Sequence, residues 1–227
     1  MKKAEIICTG SELLIGTSVD TNSLYLSNQL QNMGIEVRFK TIVGDAGNEI
    51  EDVISTALER TDIVIISGGL GPTVDDLTRD VLAKICGKKL VFHQDIYERI
   101  KARIRMVHPG KEFPDAVKSQ AYVPEGADYF ENKNGTAPGL GISHNGKLII
   151  ALPGPPRELK PMWENQVQLW INNKWQTDHI MLSRVLRTTG VPESIVNDKI
   201  GELFRNSTNP KIGVCAHPGM VDIRLIG

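Results

Sequence analysis

The run Asp62-Ile-Val-Ile-Ile-Ser-Gly-Gly-Leu-Gly-Pro-Thr-Val-Asp-Asp-Leu-Thr78 constrains this chain more than any other feature. Ile63 to Ile66 is a short apolar, β-branched segment, suited to a strand buried on both faces. Gly68-Gly69-Leu70-Gly71 breaks it, and Leu77, Val81, Leu82 and Ile85 then recur at helical spacing. Buried strand, glycine turn and helix start follow in that order. Where Cβ atoms are missing, backbone N–H groups can approach an anion closely, and a helix N-terminus favours negative charge. Asp75 and Asp76 would repel a bare phosphate unless a divalent cation sat between them. The segment therefore predicts a phosphate cradle with a metal-binding edge, and a Cβ on Gly69 is expected to occupy the phosphate position. A plainer reading is a connecting turn whose acids complement the helix dipole. The loop is neither a P-loop, since no Gly-Lys-Ser/Thr follows, nor a Rossmann fingerprint, since the G-x-G-x-x-G spacing is missing.

Strand and helix patterns alternate around this run. Residues 5–9 read as a strand and 10–19 as a loop. A helix capped by Asp20 or Thr21 runs to about Met33, with Gly34 as its stop. Residues 36–43 read as a strand. A helix from Asn48 buries Ile50, Val53, Ile54, Ala57 and Leu58. The helix after the glycine loop stops at Gly87, and another covers about 95–107, ended by Pro109-Gly110. Its Arg99, Lys101, Arg103 and Arg105 read first as a solvated face, with a basic rim for an anionic ligand as the alternative. Residues 111–135 look irregular. Strands 139–143 and 147–152 flank Asn145-Gly146, a strong hairpin signal. A helix from near Arg157 to about Trp170 follows, then a linker over 172–178.

This pattern predicts an α/β fold: a mostly parallel sheet with helices on both faces and one antiparallel edge pair. It spans residues 1–172. A small α+β unit in the order β-α-β-β spans 179–227, with strands at 180–188, 212–217 and 220–226 and a helix at 192–204. It has too few residues to bury a core alone. Its hairpin presents Ile212, Val214, Val221, Ile223 and Leu225 on one face. Cover from a second copy, most simply in a homodimer, is therefore expected.

Composition narrows the function classes. A net charge of −1 gives no global field for nucleic acid or anionic membranes. No apolar run approaches the roughly 18 residues of a membrane span, and the N-terminal strand pattern is broken too early for a signal peptide. Cys8, Cys86 and Cys215 form no C-x-x-C and suit reduced thiols in a cytoplasm. The five histidines show no ligand spacing.

Ligands of parallel α/β sheets bind beyond the carboxyl ends of the strands. Four loops leave such ends: Thr9-Gly10-Ser11-Glu12 with Asp20-Thr21-Asn22, then Gly44-Asp45, then Gly68 to Asp76, then Pro153-Gly154-Pro155-Pro156. Glycines supply close approach. Glu12, Asp20, Asp45, Asp75 and Asp76 supply hard oxygen ligands for Mg²⁺-like ions. Ser11, Thr21, Asn22, Thr73 and Thr78 can bind sugar or phosphate oxygens.

These segments resemble the CinA family (competence-damage-inducible protein A), whose first domain belongs to the molybdopterin-binding superfamily. The resemblance rests on Gly10-Ser-Glu-Leu-Leu14, Asp20-Thr-Asn22, Val43-Gly-Asp45, Ser67-Gly-Gly-Leu-Gly-Pro-Thr73, Asp75-Asp-Leu-Thr78, Gly135-Thr-Ala-Pro-Gly139 and Leu152-Pro-Gly-Pro-Pro156 with Glu158. It covers about residues 4–170. It implies a divalent-metal-dependent (Mg, Mn or Co) ADP-ribose pyrophosphatase yielding AMP and ribose 5-phosphate. Asp45 and Asp76 would be the functional acids, and Asp76, Asp45 and Glu12 the metal ligands. Gly10, Ser11, Glu12, Asp20, Asn22, Gly68, Gly69, Leu70, Gly71, Pro72, Thr73, Asp75, Thr78, Pro153, Gly154 and Pro155 would bind the nucleotide. The alternatives are a molybdopterin- or pterin-binding module and a pterin-phosphate adenylyltransferase. The small unit resembles the KH-type module of the family but lacks a G-x-x-G loop. Gly190-Val-Pro-Glu193 is its nearest segment, so RNA binding is not expected. Nothing in these residues matches the nicotinamide-nucleotide deamidase domain that many members carry.

Overall fold

The computed structural model describes residues 1–107, 115–175 and 183–227. They fall into two compact units, one built from Met1–Leu30 and Ile35–Thr177, the other from Asp178–Gly227 with Gln31–Gly34.

The larger unit is a six-stranded sheet. Strands β1 (Lys3–Thr9), β2 (Glu36–Val43), β3 (Ile63–Ser67), β6 (Asp128–Phe130), β7 (Gly139–His144) and β8 (Lys147–Leu152) take the order β2-β1-β3-β8-β7-β6. The first four strands of that order are parallel, and β7 and β6 are antiparallel additions at one edge. All of β3 is buried, as its continuous apolar run requires. The hairpin joining β7 to β8 turns on Asn145 and Gly146, both at positive φ, as a type I′ turn demands. Strand β6 is an addition that the sequence pattern did not reveal. So is a separate two-stranded ladder of β4 (Leu90–Phe92) and β5 (Tyr122–Pro124).

Helices α1 (Ser11–Ile15), α2 (Asn22–Asn32), α3 (Gly47–Arg60), α4 (Thr78–Ile85) and α5 (Gln94–Val107) follow the strands in alternation. Helix α3 buries Ile50, Ile54 and Ala57, which pack with Val64, Ile66, Leu82 and Ile149 in one core. The final helix differs from expectation. It runs as α6 (Pro156–Met162), a π-helical segment Trp163–Val167, and α7 (Gln168–Trp175). Pro161 lies inside it, where the missing N–H disturbs the helical ladder. Asn172 to Trp175 is thus helix rather than linker, and the rest of the expected linker lies outside the described residues. The loop expected over 10–19 contains α1, and the stretch expected to be irregular contains a 3-10 segment, Asp115–Ala121, besides β5 and β6. The Pro109-Gly110 stop lies outside the described residues.

The smaller unit comprises β9 (Ser183–Thr189), α8 (Glu193–Asn206), β10 (Lys211–His217) and β11 (Met220–Ile226), with sheet order β10-β11-β9, all antiparallel. Ile212 pairs with Leu225 and Val214 with Ile223, which puts the expected apolar residues on one face. Residues 180–182 of the expected first strand lie outside the described residues.

Candidate functional site

The register brings the four strand ends together. Thr9 pairs with Val43, Cys8 with Ser67, and Ser67 with Leu152. The loops beyond them line a cleft of about 940 Å³. Gly10, Glu12, Asp45, Gly68 to Thr73, Asp75, Asp76 and Pro153 to Pro155 all face it. Ser11, Asp20, Asn22 and Thr78 do not line it, and each has a visible structural task.

Thr78 organises the glycine loop. Its hydroxyl donates to the Gly68 carbonyl at 3.0 Å and its amide to the Gly69 carbonyl at 3.1 Å. The next carbonyl, Leu70, accepts from the Arg79 guanidinium at 2.8 Å and from the Gln120 amide at 3.4 Å. Three successive carbonyls are therefore committed to protein donors. In a trans peptide the following N–H points the opposite way. The N–H groups of Gly69, Leu70 and Gly71 have no acceptor among the described residues, and all three residues line the cleft. Converging free backbone donors of this kind form an anion-binding nest.

The glycines serve this loop differently from expectation. Gly69 has φ 69°, and a Cβ there would run into the Thr78 side chain, not into the cleft. A Cβ on Gly68 would strike Thr9, and one on Gly71 the Asp76 carboxylate. Here the missing Cβ atoms let the loop fold tightly onto its own surroundings.

Both expected acids are anchored at one oxygen. Asp45 Oδ2 accepts from the amide and hydroxyl of Ser11 at 2.9 and 2.6 Å. Asp76 Oδ2 accepts from the amide and hydroxyl of Thr73 at 2.9 and 2.5 Å. The second oxygen of each has no partner among the described residues. Among those residues no three of His, Cys, Asp and Glu gather closely enough to hold a metal ion alone. The single carboxylates fit an Mg²⁺-like ion completed by waters and substrate phosphate oxygens.

Asp20 and Asn22 hold the wall behind the cleft. Asp20 Oδ1 accepts from the Ser23 amide at 2.9 Å and from Cys8 Sγ at 3.4 Å. Burial opposes its ionisation, but these hydrogen bonds outweigh it and hold the carboxyl below its ordinary range. Asn22 Nδ2 donates to Ser67 Oγ at 2.8 Å and to the Gly154 carbonyl at 2.6 Å. It ties α2 to the end of β3 and to the loop after β8.

Several lining residues escaped the sequence reading: Gln120, Asn134 and Arg157. Arg103, read first as part of a solvated face and second as part of a basic rim, lines the cleft and donates to the Asn134 carbonyl at 3.2 Å. Asn132 Oδ1 receives the amides of Asn134 and Gly135 at 3.0 and 2.8 Å, and its Nδ2 reaches Glu158 at 2.8 Å. Gly135 to Ala137 and Glu158 were legible only through the resemblance. The buried oxygens Thr9 Oγ1 and Gln120 Oε1 have no partner, and both residues line the cleft.

Comparison with known proteins follows this geometry. Residues 5–172 match a family model described as "Probable molybdopterin binding domain", and residues 183–227 match the damage-inducible protein CinA KH domain. A relative from Caldicellulosiruptor saccharolyticus, named as a competence-damage inducible protein, is 43% identical over 98% of this chain and 53% of its own length. One of the same name from Bacillus cereus is 42% identical, with the same coverage. The chain spans about half the length of the curated relatives it matches. Among solved structures, CinA from Thermoplasma acidophilum is 35% identical with a TM-score of 0.66, over 74% of this chain and 96% of that one. The molybdopterin biosynthesis enzyme MoaB from Thermus thermophilus, at 19% identity and a TM-score of 0.50 over 78% of this chain and 98% of that one, shares the fold. Among the described residues no helix is long and apolar enough to cross a membrane. With a molybdopterin-binding-type sheet followed by a CinA KH unit, the chain belongs to the CinA family.

Proposed function

We propose that the larger unit binds a phosphorylated heterocycle, a pterin of the molybdopterin type or a nucleotide, with a phosphate on the N–H groups of Gly69, Leu70 and Gly71. One observation carries this reading: three consecutive carbonyls are tied to Thr78, Arg79 and Gln120, which leaves those three donors uncommitted at the cleft. The description of the matching family supports the pterin form.

A second reading is hydrolysis of ADP-ribose at its pyrophosphate bond, giving AMP and ribose 5-phosphate. It is favoured by Asp45 and Asp76, each oriented through one oxygen with the other left for chemistry. The cleft lining carries Glu12, Asp45, Asp75, Asp76 and Glu158 against Arg103 and Arg157. A phosphate entering that field needs a cation as escort. A bound Mg²⁺, Mn²⁺ or Co²⁺ would supply charge neutralisation and a water of lowered pKa; the free oxygen of Asp76 would hold it, with Asp45 or Glu12 assisting and waters and phosphate oxygens completing the shell in place of a third acid. Asp45 or Asp76 would orient the attacking water. The nest would stabilise charge on the phosphoryl oxygens as the bridging P–O bond breaks.

The deciding experiment incubates pure protein with ADP-ribose and each metal, follows AMP by chromatography, and separately titrates a phosphorylated pterin. Metal-stimulated AMP supports hydrolysis. Saturable pterin binding without AMP leaves the binding module, and neither result would overturn both. Also proposed are a homodimer, a division of labour between residues 1–172 and 179–227, and a cytoplasmic setting that keeps the free thiols of Cys8, Cys86 and Cys215 reduced.

A further inference from the structure

Arg79 lies directly behind the nest. Its residue is only 3% exposed, and its guanidinium donates to the Leu70 carbonyl at 2.8 Å. No carboxylate among the described residues comes within 4.0 Å of it to form an ion pair. The acids that bear on it, Asp80 and Asp76, act through space alone. Asp76 already spends one oxygen on Thr73. Burying a cation is costly unless a counter-charge meets it, and an arginine does not shed its proton to escape that cost. Burial does press its pKa downward, the expected sign for a desolvated cation.

We propose that Arg79 is a positioning residue whose missing counter-charge is the bound phosphate itself. It acts in two ways through one contact. The hydrogen bond to Leu70 fixes the peptide that aims the Gly71 N–H at the cleft. The guanidinium charge behind that peptide raises the potential at the nest, and water screens it little on its own side because Arg79 is buried. Gln120 is the second donor to the same carbonyl and maintains the peptide's orientation, but it brings no charge. This inference rests on the nest being the phosphate site.

The test uses the whole chain at a fixed, saturating Mg²⁺ concentration, since the acids of the cleft call for a cation beside the anion, with inorganic phosphate as the probe. Arg79→Met is expected to keep the melting temperature of the ligand-free protein, because it removes an unpaired buried charge. It should weaken phosphate binding roughly 10- to 100-fold. Arg79→Lys keeps a charge and should recover most of that loss. Equal affinity in wild type and Arg79→Met would overturn the inference, as would an Arg79→Lys protein that folds and binds as weakly as Arg79→Met. If Arg79→Met does not fold, wild-type protein still decides the matter. The Arg79 Nε–H signal, assigned by its loss in Arg79→Lys, should shift in ¹H–¹⁵N spectra as phosphate is added. Movement of the Gly69 to Gly71 amides without Arg79 would sink the role of Arg79 alone. Movement of neither would sink the phosphate site as well.

Discussion

Thr73 closes on Asp76: its amide and hydroxyl both donate to one carboxylate oxygen, at 2.9 and 2.5 Å. The acid is therefore a loop clamp and a candidate for chemistry at once, and the two roles call for different substitutions. Asp76→Asn retains an oxygen to accept from Thr73 but loses the charge. It is expected to melt like the wild type while losing at least about 100-fold in metal-stimulated AMP release from ADP-ribose. Asp76→Ala should lose the activity and also about 1 kcal/mol of stability, as other capping losses do. Full turnover by Asp76→Asn would reduce the residue to a clamp.

Gly69 supplies a prediction that the sequence alone would have placed elsewhere. At φ 69° with Thr78 beside it, Gly69→Ala meets both a disfavoured backbone and a steric overlap. A loss of about 2–4 kcal/mol is expected in urea unfolding. Ligand binding should suffer only as far as the loop is displaced. A stable Gly69→Ala protein with abolished phosphate binding would show that the Cβ points to the cleft after all.

That contrast marks what the sequence could and could not reveal. The buried run Ile63 to Ile66, the hairpin at Asn145-Gly146 and the helix repeat at Ile50, Ile54 and Ala57 are local signals, and local signals announced the sheet. The cleft followed because parallel strands end at one edge. Gln120 and Arg157 stayed hidden because their roles depend on elements that meet far from each other in sequence. The direction of each glycine's absent Cβ is likewise a tertiary fact. The proline-interrupted final helix showed its Pro161 but not how far the chain would continue beyond it.

Asn22 bridges two segments remote in sequence, Ser67 and Gly154, and its Oδ1 is buried without a partner. Asn22→Ala leaves the Gly154 carbonyl without this donor and should cost about 1–3 kcal/mol. Asn22→Asp should cost more, since it places a charge where a donor is required. The measurement is urea unfolding followed by circular dichroism. An Asn22→Asp protein as stable as wild type would refute the bridge.

Cys8 and Asp20 make stability depend on pH at both extremes. Burial first, then the charge and hydrogen bond of Asp20, push the Cys8 thiol up to about 12. Between the unfolded thiol's value of about 8.5 and that limit, the unfolded chain has lost a proton that the folded chain keeps, so stability falls as pH rises. Asp20 runs the other way. Its folded value is depressed, so its contribution is present above about pH 4 and is lost as pH falls through the folded value. Cys8→Ala should flatten the alkaline slope in chemical unfolding from pH 8 to 10. Iodoacetamide at pH 8 should modify native Cys215 well before Cys8. An unchanged slope in Cys8→Ala would remove Cys8 from the account.

The smaller unit should open before the larger. Its described residues contribute Val196 and Val221 as buried apolar side chains, while Ile6, Ile7 and Ile63 to Ile66 in the larger sheet are fully buried. One helix and three strands give few interior contacts, and amide protection follows such contacts. Val185, Leu186, Ile195, Leu203 and Phe204 are exposed. If a second copy covers part of this surface, as the proposed homodimer requires, protection of residues 183–226 should rise with protein concentration. Hydrogen exchange read by mass spectrometry at two concentrations, alongside sedimentation, tests both statements. Amides of residues 183–226 are expected to exchange faster than those of β1, β3 and β8 at low concentration and to slow as dimer forms. Equal protection of the two units in a protein that sediments as a monomer would refute the proposal.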